Sequence, residues 1–128
     1  MRNFILVAAV LFSLVACKKT ATQFSNSSIV GKWKLSEYQA DPGDGSETWH
    51  STASLNPSYL EFKEDGTLSV SPYSLSSWDH FQVTSDSTII FFRGSDQFTR
   101  AYHFSKTLLS LYNRGCIEAC GERYIPAQ

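Results

Sequence analysis

Leu60-Glu61-Phe62-Lys63-Glu64-Asp65-Gly66-Thr67-Leu68-Ser69-Val70 is the stretch that decides the fold. Leu60, Phe62, Leu68 and Val70 alternate with Glu61, Lys63 and Ser69, and successive side chains of an extended strand point to opposite faces. One face is therefore buried and the other wet, the pattern of an antiparallel sheet. Asp65-Gly66 lies between the two runs, and a tight primed turn needs positive φ at its centre, so the segment reads as a β-hairpin.

Outward from this hairpin, turn-forming clusters recur near Ser74 to Ser77, Ser85-Asp86, Gly94-Ser95-Asp96, Ser105-Lys106 and Arg114-Gly115. That spacing, with aromatic and β-branched runs between, predicts an all-β sandwich or barrel. Eight strands are expected, over about 30–39, 58–64, 67–72, 79–84, 87–93, 97–104, 107–113 and 121–126. Helical periodicity is missing, which argues against α-helical crossovers and so against a parallel sheet. An eight-stranded antiparallel up-and-down β-barrel is the economical topology, because closure removes the exposed edges that invite aggregation. Residues 40–57 (ADPGDGSETWHSTASLNP) interrupt the pattern and read as one long loop of the kind used as a lid or binding loop.

The amino terminus is of a different kind. Met1-Arg2-Asn3 is a short basic start, and Phe4 to Val15 form an apolar run of twelve residues. A membrane-crossing helix needs roughly 20, so this run reads as a signal-peptide core. Leu14-Val15-Ala16-Cys17 is similar to the lipobox of bacterial lipoproteins, which implies cleavage after Ala16 and acylation of Cys17. The expected organisation is a leader over 1–16, a lipidated polar tether over 17–28 and one β-domain over 29–128. The tether (KKTATQFSNSS after Cys17) has no periodicity and spans roughly 18 Å as a flexible coil. Lys18-Lys19 adjoins the anchor, where it either touches anionic headgroups or is a solvated flank.

Of 128 residues, 112 follow the leader, enough for one modest core. Lys and Arg number 11 against 12 Asp and Glu, a balance that offers no electrostatic footprint for nucleic acid. Ile89-Ile90-Phe91-Phe92 and Leu108-Leu109 with Leu111 and Tyr112 are apolar on both faces, so the outer side of these strands needs cover from the 40–57 loop, another subunit or the membrane.

Gly31-Lys32-Trp33 on the first strand, the long loop after it, the run of hairpins and Cys116-Ile117-Glu118-Ala119-Cys120 before the last strand together resemble the lipocalins, and more closely the lipocalin-like lipoproteins of the Bacteroidota. The resemblance covers about residues 29–126. It implies that Gly31 and Trp33 pack the closed base of the barrel and that a late arginine, matched by Arg123, lies over the tryptophan ring; a solvent-facing arginine is the alternative. The Thr-Asp-Tyr motif of the core lipocalins has no counterpart. Acidic residues soon after the cysteine, which in lipoproteins of that group favour display on the cell exterior, are absent here. Their absence implies an outer-membrane lipoprotein on the periplasmic face of the cell envelope.

In an oxidising compartment the remaining two cysteines, Cys116 and Cys120, are expected to form a disulfide, with a redox or metal-sensing pair as the alternative. His50, His80 and His103 are too scattered for a local ligand motif, Asp41, Asp44 and Glu47 read as a plain turn, and neither metal nor cofactor is expected. Catalytic motifs of the hydrolase, zinc-protease and phosphate-loop types do not occur, so a binding protein is expected rather than an enzyme. The expected ligand is small and hydrophobic, in a pocket lined by Leu35, Leu60, Phe62, Leu68, Val70, Phe81, Val83, Phe91 and Tyr102. The alternative is a filled barrel that binds or inhibits an envelope protein. Cys17→Ser should leave an uncleaved precursor that incorporates no labelled fatty acid, as read by gel mobility and radiolabel; normal processing and labelling would defeat the leader assignment.

Overall fold

The computed structural model describes residues 29–71, 78–116 and 120–128. The leader, Cys17 and the tether lie outside the described residues, as do the turn cluster at 74–77 and residues 117–119 between the cysteines. Nine strands follow in order: β1 (Gly31–Ala40), β2 (Thr48–Ser51), β3 (Tyr59–Phe62), β4 (Leu68–Ser71), β5 (His80–Val83), β6 (Thr88–Arg93), β7 (Asp96–Ser105), β8 (Leu108–Tyr112) and β9 (Gly121–Pro126). Eight of them form one antiparallel sheet in the order β4-β3-β1-β9-β8-β7-β6-β5, an up-and-down meander that closes on itself through β1 and β9. The barrel is nearly closed at the remaining seam. There β4 and β5 meet at the bridge Thr67↔His80, with Leu68 N–H donating to the Asp79 carbonyl (2.8 Å) and Phe81 N–H to that of Gly66 (2.9 Å).

The 40–57 segment is not one structureless loop. Thr48-Trp49-His50-Ser51 forms β2, which pairs with the upper half of β1 while β3 pairs with the lower half. The turn before it is plain: Asp41 Oδ1 accepts the N–H groups of Gly43, Asp44 and Gly45, so the carboxylate caps its own loop. The deciding hairpin pairs Leu60 with Val70 and Phe62 with Leu68 as the alternation requires. Its turn is one residue longer than a primed pair. Lys63 N–H donates to the Thr67 carbonyl and Gly66 N–H to that of Lys63, both at 3.0 Å, and only Gly66 takes positive φ (+84°). This is a type I turn completed by a left-handed glycine, and the Asp65 carboxylate fixes it by accepting the Thr67 hydroxyl at 2.6 Å.

One end of the barrel, the floor, gathers the start of β1 and the β3–β4, β5–β6 and β7–β8 turns. It is packed solid. Ile29 is fully buried and its carbonyl accepts the Trp33 Nε1–H at 2.9 Å. Trp33 meets Phe104 edge to face at 5.8 Å, although β1 and β7 are three strands apart around the wall. Phe62 likewise reaches Phe81 (4.8 Å) and Phe91 (6.4 Å). Rings that touch across the interior leave no space between them, and each such pair adds about 0.5–1.5 kcal/mol beyond its area burial.

Arg123 does not lie over Trp33. Tyr124 takes the inward position on β9, opposite Leu35 and Leu109, and strand alternation then turns Arg123 outward. Its guanidinium stacks on Trp49 of β2, 3.7 Å from the ring centroid, and Nη1 donates to Glu37 Oε2 at 3.1 Å. Trp49 lies across Gly121 and meets Tyr112 edge to face at 6.4 Å, so β2 supplies the cover that the outer side of β8 and β9 needs.

An added Cβ at Gly121 would stand 2.7 Å from Trp49 Cη2 and 2.8 Å from Gln39 Oε1. Both are side-chain ends that can swing away, so Gly121→Ala should fold but unseat Trp49 from Arg123, at a cost of about 1 kcal/mol. Urea denaturation, with the shift in tryptophan emission, reads this; unchanged stability and emission would show that the indole is not held there.

Candidate ligand site at the rim of the barrel

The other end, the rim, carries the β1–β2, β4–β5, β6–β7 and β8–β9 connections. Register explains why polar chemistry collects there. β8 pairs only with Ala101 to Ser105 of β7, so the upper half of β7 pairs with β6 alone and the β6–β7 hairpin rises above the β8–β9 wall. Arg100 thus stands just where the wall falls away. Its in-phase neighbours Phe98 and Tyr102 point inward, and so does Arg100, which is only 5% exposed.

Arg100 Nη1 donates to Glu122 Oε2 at 2.7 Å, Nη2 donates to the Leu111 carbonyl at 3.3 Å, and Tyr124 donates its hydroxyl to the same Glu122 oxygen at 3.0 Å. Arg100 Nε is buried without a hydrogen-bond partner among the described residues. The Glu122 side chain keeps 21% of its surface exposed, so the network opens towards solvent on its carboxylate side. Tyr38 is the register partner of Glu122 on β1 and stacks on His50 at 5.5 Å, which extends the rim with two polar aromatic rings. Deeper in, burial and the nearby Asp86 carboxylate raise Tyr102 above the usual tyrosine range, so it stays a neutral donor to the Ser85 carbonyl.

Tyr38 faces inward because of a bulge. Leu35 pairs with Tyr124 and Glu37 with Arg123, so Ser36 is the extra residue and the alternation of β1 changes phase there. Without the bulge Glu37 would point into the barrel; with it, Glu37 meets Arg123 outside.

All nine residues expected to line a pocket lie on the inner side of the wall. Leu60, Phe62, Leu68, Phe81, Val83, Phe91 and Tyr102 are buried in the central cluster, and Leu35 and Val70 pack against it half-buried. Gly31 opens β1 with φ +137° beside Ile29, and Trp33 seals the floor. Cys116 and Cys120 are joined as a disulfide, with Cα atoms 6.0 Å apart, directly before β9. Among the described residues no three His, Cys, Asp or Glu side chains cluster as metal ligands, and the three histidines stand apart. Arg100, Glu122 and Tyr38 are absent from the expected lining. Phe98-x-Arg100-x-Tyr102 carries the signal that would have found the first, an arginine in phase with two inward aromatic residues.

Compared with known proteins, the chain matches no family model and no curated sequence.

Glu122→Leu strands a buried guanidinium without its counter-charge and should cost about 3–5 kcal/mol. Arg100→Met leaves a carboxylate that already reaches water and should cost less, about 1–2 kcal/mol. The double variant should return to within about 1 kcal/mol of the parent, since a well-packed apolar pair replaces a buried ion pair at little loss. Urea denaturation of the four proteins measures this, and additive losses would contradict the coupling.

Proposed function

We propose that this chain is a lipid-anchored protein of the cell envelope, of the lipocalin-like kind, that binds one small and mainly apolar ligand through the rim end of its barrel. The anchor is the acyl chains on Cys17, and the tether keeps the domain close above the periplasmic face of the outer membrane. Binding, without catalysis, is the assigned role; nucleic acid is not a partner.

The observation that carries this reading is the division of the interior. The floor half is sealed by rings in contact across the barrel, while the rim half holds a charged network with a free donor. A buried ion pair seldom stabilises a fold better than apolar side chains of the same volume, so its presence supports a role in recognition. Ligand sites are mostly apolar with a few convergent polar groups, and Phe98 and Leu111 beside Arg100, Glu122 and Tyr38 have that composition. The polar end of the ligand would meet the open carboxylate side of the Arg100–Glu122 pair.

The sealed floor also favours a second reading, a barrel filled throughout that presents its rim to an envelope protein. The neutral dye N-phenyl-naphthylamine separates them. A ligand site should take up one dye per native barrel, quench tryptophan emission and lose the dye when a longer apolar amphiphile is added. Dye uptake that appears only on unfolding would leave the filled barrel, whose partner crosslinking in intact cells should then capture.

A further inference from the structure

The β6–β7 hairpin carries a second feature above the ion pair. Phe91 and Phe98 are register partners on its inner side, and the next inward pair is Arg93 with Asp96, flanking the turn Gly94-Ser95. Arg93 and Asp96 are directly opposed, yet they form no ion pair or side-chain hydrogen bond with any described residue. Trp78, two residues before β5, is tied to this hairpin by the hydrogen bond from Asp79 N–H to the Phe92 carbonyl at 3.0 Å. It stacks nearly parallel on Phe98, with centroids 6.0 Å apart and planes 16° apart, which fixes the indole. Trp78, Arg93, Gly94, Ser95 and Asp96 line an open cleft of about 580 Å³.

We propose that this cleft binds a saccharide. An indole held in place offers a flat apolar platform that suits the C–H face of a pyranose ring, at little cost in conformational freedom. An unpaired guanidinium fork and an unpaired carboxylate on either side offer donors and acceptors together, which vicinal hydroxyls satisfy as both acceptor and donor. An anion would meet Asp96, and a cation would meet Arg93. A zwitterion would rely on ion pairs in open solvent alone, which are worth little, whereas a sugar adds the stacking of its C–H face on the indole. The proposal needs no cavity inside the barrel, so it holds or fails separately from the apolar-ligand reading.

Saturation-transfer NMR on the full chain, expressed with its own leader and recovered in phosphatidylcholine nanodiscs, tests this with methyl β-glucopyranoside and methyl β-N-acetylglucosaminide as probes. At least one should bind saturably in the millimolar range, with the strongest transfer to ring C–H protons. Asp96→Asn and Arg93→Gln should each weaken it about tenfold with unchanged thermal unfolding. Trp78→Phe should weaken it less than Trp78→Ala, and His103→Gln, on the outer face, should leave it unchanged. Saturable binding of neither glycoside, binding indifferent to Asp96 and Arg93, or tighter binding of glycylglycine or inorganic phosphate would overturn the proposal.

Discussion

The pairing of β1 with β9 is the constraint on which the rest of the structure depends. It joins the first and last strands of the domain, and so closes the longest loop of the sheet. Once made, it removes the edges that the first and last strands would otherwise expose and sets which of their side chains point inward. Tyr124 against Leu35 and Leu109, Trp33 against Phe104, and Glu122 against Tyr38 all follow from that one register. The bulge at Ser36 lies within it, and the Ser36 hydroxyl donates to the Arg123 carbonyl at 3.0 Å across the irregular step. A single extra residue therefore makes the difference between a glutamate inside the barrel and a glutamate outside it.

The same phase change divides β1 between two partners. Its lower half holds β3 and its upper half holds β2, so the chain covers its own outer wall before the main hairpins begin. Trp49 can lie flat there because position 121 has no side chain, and Arg123 then fills the space above the indole. The outer apolar surface of Tyr112 is covered by the chain itself. The disulfide before β9 fixes the start of the strand that carries Gly121, Glu122, Arg123 and Tyr124, and so serves both faces of the wall at once.

What could be read from the sequence was whatever obeys a period of two. The alternation of β3, β4 and β5, the runs of β6 and β8, and the inward side of all nine candidate lining residues are local properties of residue type. Eight wall strands follow from the turn clusters between them. Four features were not legible, each for a physical reason. β2 is four residues long, mostly polar and set among glycines and aspartates, so its pairing depends on β1 rather than on its own pattern. The bulge leaves no mark in composition, since Ser36 is as acceptable in a regular strand. Resemblance puts Arg123 over Trp33, but the inward position belongs to Tyr124, and the cation lies over Trp49 instead. Arg100 and Glu122 escape a reading by pattern because charged residues in a strand read as wet, although each stands in phase with inward aromatic residues.

That pair also bears on what the interior is for. If stability were the only demand on the rim half, Leu or Met at positions 100 and 122 would fill the same volume without the several kcal/mol that desolvating each ion costs. The floor half shows that this chain can build such packing, with Phe62, Leu60, Leu109 and Tyr124 fully buried. The change from apolar to charged coincides with the level at which the β8–β9 wall ends and water reaches the Glu122 carboxylate. The charged network therefore marks the boundary between the apolar floor of the barrel and the rim, where the proposed ligand would enter. A ligand settling there would exchange solvent on one side of Glu122 for contacts of its own, against a carboxylate held in place by the Arg100 guanidinium and the Tyr124 hydroxyl.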